Sequence, residues 1–189
     1  MKRLSNLLIK TTLLMSFILA GAAATASADE WSVDRNKSTL GFEVENNGKS
    51  VTGTFGTWNA KIVFDKEELD KAKIQATVIT GSVTTDDSQV GGAITSQQWL
   101  DISGYPEAIF RVDNVVPAGG DLYEAGGILE LKGIKIAVFL PFTLTIEGDT
   151  AHAVGEANIL RNEFKIGDGV PDSTVSDKVV VTLDLYASR

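Results

Sequence analysis

The stretch Ile134-Lys135-Ile136-Ala137-Val138-Phe139-Leu140-Pro141-Phe142-Thr143-Leu144-Thr145-Ile146 places a large apolar side chain on every even-numbered position without a break. A period of two over that length means a β-strand with one wholly apolar face. At about 3.3 Å per residue such a strand reaches roughly 40 Å if straight, beyond the usual length of sandwich strands. Long strands of this kind coil into tall barrels. Pro141 falls on the opposite parity and has no N–H to give to a ladder, so the strand is expected to bulge, bend or lie at an edge there.

Weaker alternation surrounds this segment. Leu40, Phe42 and Val44 share one parity against Glu43 and Glu45, and Val179, Val181, Leu183 and Leu185 share one against Thr182 and Asp184. Further strands are predicted at Trp31–Val33, Val51–Phe64, Lys73–Thr85, Ala108–Val116, Leu122–Leu131 and Ala151–Leu160. The turn signals Asn46-Asn47-Gly48, Ala118-Gly119-Gly120-Asp121, Lys132-Gly133 and Glu147-Gly148-Asp149 join consecutive antiparallel neighbours. Glycines inside the strands, such as Gly53, Gly126, Gly127 and Gly155, suit the sharp coiling of a barrel better than a flat sheet. Two segments depart from the β pattern. Asp65–Lys71 is charged and short, and Ser88–Leu100 has a loose helical face weakened by Gly91-Gly92, a cap over one barrel end. The expected fold is all-β: an extended antiparallel barrel of about eight strands, lipocalin-like, with a short helical cap.

The first residues carry Lys2, Arg3 and Lys10, an apolar run from Leu13 to Leu19 and a small-residue stretch ending Ala26-Ser27-Ala28. This is the pattern of a cleavable signal peptide over 1–28, cut after Ala28, and no stable membrane insertion is expected. Residues 29–189 form one domain, long enough for a sizeable core. Three of the 17 basic residues lie in the leader and none of the 25 acidic ones, so the exported chain carries 14 basic side chains against 25 acidic, a net charge of −11. Nucleic acid is an unsuitable partner for such a surface. The chain contains no cysteine, which removes disulfides, thiol catalysis, thiolate metal sites and lipid attachment at the leader.

Catalytic patterns are missing. There is one histidine, His152, beside a turn, with no G-x-S-x-G elbow to suggest a triad and no second histidine to share a metal. Asp86-Asp87, and Asp168 with Asp172, lack the spacing of a calcium loop and read as solvated acidic surface. No phosphate-cradling glycine motif is present. No catalytic residue, metal or cofactor is therefore assigned, and the chain is read as a binding protein and not an enzyme. What the sequence does supply is large apolar side chains: Phe42, Phe55, Trp58, Phe64, Trp99, Phe110, Phe139, Phe142 and Phe164. An eight-stranded barrel can use them to fill its core or to line a ligand cavity, and alternation does not separate the two.

The order of several short motifs resembles the YceI-like family of lipocalin-like, polyisoprenoid-binding periplasmic proteins. They are Trp31-Ser32-Val33-Asp34, Lys37 to Val44, Val51-Thr52-Gly53-Thr54-Phe55, Ile62-Val63-Phe64-Asp65, Trp99-Leu100-Asp101 with Tyr105-Pro106-Glu107-Ala108-Ile109-Phe110, Gly126 to Gly133, Arg161 to Gly167, and Val175 to Val179. The resemblance implies a barrel whose tunnel sequesters a long isoprenoid-type lipid, polyprenyl or quinone-like, in the periplasm. Family histidines are replaced here by Lys37 and by Asn46-Asn47, and the run from Gly91 to Trp99 has no basic residue, so the resemblance carries over no histidine role. The candidate lining residues are Phe42, Val44, Phe55, Trp58, Leu100, Phe110, Phe142 and Leu144. Arg161 and Asn162 are candidate polar contacts, with a structural ion pair from Arg161 to Asp34, Asp168 or Asp177 as the competing role. A solid barrel acting as a stress-related protein-interaction module is the alternative, and homodimerisation is left open.

Overall fold

The computed structural model describes residues 29–189, so the signal-peptide expectation lies outside the described residues. Eleven strands occur in the order β1 (Glu30–Val33), β2 (Thr39–Asn46), β3 (Lys49–Phe55), β4 (Trp58–Val63), β5 (Lys73–Ile79), β6 (Val83–Thr85), β7 (Glu107–Gly119), β8 (Leu122–Leu131), β9 (Ile134–Glu147), β10 (Thr150–Leu160) and β11 (Val175–Ser188). One short helix, α1 (Ser88–Ala93), lies between β6 and β7, with single 3-10 turns at Leu69–Lys71 and Thr80–Ser82.

All pairings are antiparallel; besides those between chain neighbours, β1 pairs with β4, β3 with β6, β5 with β7, and β11 with β1 and β2. β1 and β2 are halves of one interrupted strand, as are β3 with β4 and β5 with β6. Counting each couple once reduces eleven strands to eight, arranged up and down. The ring closes where β11 meets the first strand, with Ser32 opposite Ser188 and Val33 opposite Ala187. Closure removes the exposed sheet edges that invite aggregation.

Turn chemistry fixes the registers. Asn47 (φ 50°) and Gly48 (φ 74°) turn β2 into β3, and Lys132 (φ 49°) and Gly133 (φ 73°) turn β8 into β9. Two successive residues with positive φ give the twist that a tight hairpin needs. The interruptions, by contrast, come from long-range contacts. The loop between β1 and β2 is held by Ser38, whose hydroxyl donates to the Asp34 carbonyl at 2.7 Å and accepts from the Tyr186 N–H at 2.9 Å. The segments predicted as continuous over Val51–Phe64 and Lys73–Thr85 are therefore each two strands. At the second break the Ser82 hydroxyl donates to the Ile79 carbonyl at 2.7 Å and accepts from the Thr57 N–H at 3.0 Å.

Pro141 lies inside β9, where pairing with β8 continues in register from Leu131↔Ile134 to Leu122↔Thr143. Pairing with β10 runs from Thr150↔Glu147 only as far as Gly155↔Phe142. The ladder on that side stops next to the proline, which has no donor to extend it. A Cβ on Gly155 would stand 2.6 Å from the Pro141 carbonyl oxygen, so only glycine permits this close approach.

A candidate ligand tunnel with an apolar floor and a neutral rim

The inner faces of the strands enclose a cavity of about 660 Å³. The even positions of β9 from Val138 to Ile146 line it, as do Val175 and the odd positions of β11 from Val179 to Ala187. Space is made chiefly by β10, whose inward positions are Ala151, Ala153, Gly155 and Ala157 before the series ends on Ile159. Leu140, Leu144, Val179, Val181 and Leu183 point inward yet are only half-buried. In a filled barrel they would be sealed against each other. This barrel is hollow, which removes the physical premise of the solid-barrel alternative.

The two ends of the tunnel differ. One is closed by Trp31 and Phe64, both buried. The Trp31 indole donates from Nε1 to the Phe64 carbonyl at 2.9 Å, Phe64 meets Tyr123 edge to face at 6.1 Å, and Tyr123 stacks on Phe142 at 5.7 Å. Arg189 lies over the outer face of this floor, its guanidinium carbon 4.8 Å from the Trp31 ring centre and its fork paired with Asp29. Lining residues at this end, including Ile62, Ile74, Ile146, Ala151 and Ala187, are all apolar.

The opposite end carries α1. The helix is capped by Asp87, whose carboxylate accepts from the Gln89 and Val90 N–H groups at 2.8 and 3.1 Å. Gln89, Val90, Ala93, Ile94, Gln98, Trp99 and Leu100 all border the tunnel, so the predicted helical cap is in place, although helix proper stops at Ala93 and turns continue from there. Gln89 and Gln98 are exposed while lining the cavity, which marks this end as the mouth. Asn46 and Thr174 lie beside them on β2 and before β11, where the Asn47 N–H donates to the Thr174 carbonyl at 2.7 Å.

The eight apolar candidates Phe42, Val44, Phe55, Trp58, Leu100, Phe110, Phe142 and Leu144 all lie on the tunnel wall. Phe42 covers Gly53, where a Cβ would come within 2.4 Å of its ring, and tilts against Phe55 at a centroid distance of 5.8 Å. Arg161 also borders the tunnel but is 1% exposed. Its guanidinium donates to the carbonyls of Ile166 (3.1 Å), Gly167 (3.2 Å), Val170 (2.8 Å), Val175 (2.9 Å) and Ser176 (3.1 Å), and to the Asp172 carboxylate (2.9 Å). Its ion-pair partner is Asp172, and not Asp34, Asp168 or Asp177. Asp172 is reached because the loop between β10 and β11 wraps around the guanidinium. Asn162 is exposed on the outer side of this loop, away from the tunnel lining, and its side-chain amide donates to the same Asp172 oxygen at 2.9 Å.

Several residues that sequence reading did not select complete the wall. Trp31, Phe64 and Leu183 carried apolar parity but were not chosen; of the rim residues, Asn46 was read only as part of a turn, and Gln89, Gln98 and Thr174 carry no motif. Phe139 faces outward with 59% exposure, opposite in parity to Phe142, and Phe164 is sealed at 0% under the mouth with Leu100, Leu131 and Val138. Arg35 packs over the outer side of Trp58 with its guanidinium carbon 4.1 Å from the ring centre, and its partial burial lowers its pKa from the ordinary guanidinium value. His152 sits within β10 and not in the adjoining turn; its Nε2 meets the Asp184 carboxylate at 2.8 Å and its ring stacks on Tyr186 at 4.0 Å, facing away from the tunnel. Among the described residues no helix is long and apolar enough to cross a membrane, which says nothing of strands.

Comparison with known proteins places these features in context. The YceI-like domain family matches residues 31–187. A UPF0312 protein of Pseudomonas syringae pv. syringae is 27% identical over 185 residues, covering 93% of each chain. Protein YceI of Salmonella arizonae is 28% identical over 183 residues, 90% of this chain and 95% of the relative. Among solved structures, Burkholderia cenocepacia BcnA superposes with a TM-score of 0.79 at 28% identity, covering 82% of this chain and 99% of that one. The YCEI protein of Campylobacter jejuni shares the fold with a TM-score of 0.66 at 18% identity, over 72% of this chain and 84% of that one.

Proposed function

The chain belongs to the YceI-like family, and from that premise we propose that it is a periplasmic binding or carrier protein that sequesters a long apolar isoprenoid-type lipid, polyprenyl or quinone-like, in its barrel. The observation that carries this reading is the hollow, apolar-walled tunnel of about 660 Å³. That size is typical of a small-molecule site, and each 100 Å² of lipid surface taken from water contributes about 2.5 kcal/mol. Phe42, Val44, Phe55, Trp58, Phe110, Phe142 and Leu144 contact the chain of the ligand, with Leu100 nearer the mouth. No chemistry is assigned to the tunnel, and the protein acts by holding its ligand. Export through a cleaved leader over 1–28 places the carrier in the aqueous space between membranes, where a free prenyl chain is insoluble.

The test is native mass spectrometry of protein purified from its own cell envelope, followed by organic extraction. A stoichiometric isoprenoid or quinone supports the carrier. A ligand-free mass, together with no uptake of added prenyl lipids, refutes it.

A further inference from the structure

Resting on the lipid-binding reading, we infer that the tunnel takes its ligand tail-first and selects an uncharged head group, a hydroxyl or carbonyl, against a phosphate. The polarity of the lining is one-sided. Its floor is apolar, Thr80 is buried with its hydroxyl donating to the Tyr105 carbonyl, and the uncharged polar members left for a ligand, Asn46, Gln89, Gln98 and Thr174, cluster at the α1 end where the mouth opens. An amphiphile whose head lay at the floor would bury that head among Trp31, Phe64 and Ile146 with no partner, and burying an unpaired polar group is costly. The head therefore rests at the rim, and there every side chain just named is an amide or a hydroxyl.

A phosphate needs free cationic donors, and the mouth has none on its lining. Arg161 is the one cation that borders the tunnel among the described residues, and its guanidinium is already committed to five backbone carbonyls and Asp172. To turn it toward a ligand would unmake the loop it organises. The Lys132 ammonium, close by, donates to the carbonyls of Gln98 at 3.0 Å and Lys165 at 2.9 Å; Lys49, Lys132 and Lys165 are all absent from the lining. Asp87 at the α1 cap and Asp168, whose carbonyl accepts from the Gln98 amide at 3.0 Å, add negative charge beside the opening. A head that is anionic loses water there and gains repulsion. A neutral head loses less and finds hydrogen-bond partners.

The experiment compares two ligands that share one tail, geranylgeraniol and geranylgeranyl phosphate, as competitors of a fluorescent apolar probe, each below its critical micelle concentration. The alcohol is expected to bind the full exported chain about tenfold or more tighter than the phosphate. Equal or tighter binding of the phosphate overturns the inference while leaving the carrier reading standing. Displacement by neither ligand removes the carrier reading itself, and the selectivity with it. A second variant locates the head: Gln89→Lys, on an exposed rim position, is expected to raise phosphate affinity about fivefold and to bind the alcohol no tighter than the parent does. Unchanged phosphate affinity in that variant overturns the placement of the head at this rim.

Discussion

Replacing Ala153 with phenylalanine tests whether the tunnel is occupied space or merely loose packing. Ala153 lines the cavity between Leu144 on β9 and Leu185 on β11, and a larger side chain there projects along the tunnel. A phenylalanine presents about 150–250 Å² of surface, of which roughly 100 Å² displaces lipid contact worth about 2.5 kcal/mol. That corresponds to a Kd weakened about 60-fold. With lipid at a hundred times the wild-type Kd, binding stabilises the parent by about 2.7 kcal/mol and the variant by about 0.6 kcal/mol. For a domain of this size the parent's Tm rises by about 5–11 °C on lipid addition and the variant's by about 1–2 °C. Differential scanning calorimetry with and without added lipid reads both values. The ligand-free variant is expected to melt no lower than the parent, because the ring enters empty volume. Should Ala153→Phe instead lose about 1–3 kcal/mol of stability, the cost of overpacking a filled core, and still show the full lipid-induced shift, the hollow-tunnel reasoning is refuted.

Three further outcomes are expected. Arg161→Leu removes the hub of the loop between β10 and β11 and lowers stability by on the order of 3–5 kcal/mol; urea unfolding that shows a loss under about 1 kcal/mol contradicts that role. Gly155→Ala drives a Cβ against the Pro141 carbonyl and destabilises by about 1–3 kcal/mol, with an unchanged midpoint as the contrary result. Asp87→Ala uncaps α1 at a cost of about 1 kcal/mol; hydrogen exchange at Gln89 to Ala93 then speeds about fivefold, and no change there shows that the carboxylate does not hold the helix at the mouth.

The parts of the fold that were legible are those in which sequence and neighbour agree locally. The unbroken alternation from Ile134 to Ile146 gave β9 within a residue of its observed end, and Leu122–Leu131 matched β8, because both flank tight hairpins whose glycines are visible. The interruption between β1 and β2 was visible, but those within Val51–Phe64 and Lys73–Thr85 were hidden. Val51 to Phe64 alternates well enough to read as one strand, and its break depends on Ser82 and Arg35, which arrive from elsewhere in the chain. The site divides in the same way. Apolar wall positions follow from parity, and all eight selected ones reached the tunnel wall. The small residues of β10, which create the volume, read as weak strand formers with nothing to announce a cavity. Arg161 carried a motif, but its commitment to carbonyls depends on a loop conformation that charge spacing does not encode.

Closure of the ring by β1 on β11 also bears on how the molecule acquires its shape. Ser32 and Ser188 meet only after the intervening strands have been laid side by side. Hairpins such as β8 with β9 need little chain and zip early, whereas the seam waits for contacts of the highest sequence separation in the molecule. Until it forms, two long unpaired borders are exposed, and the folding intermediate is most vulnerable to joining another copy. A chain lacking β11 would lose its ladders to β10, β2 and β1 together and remain an open, adhesive sheet, so the last strand both completes the bonding of the ring and guards it against aggregation.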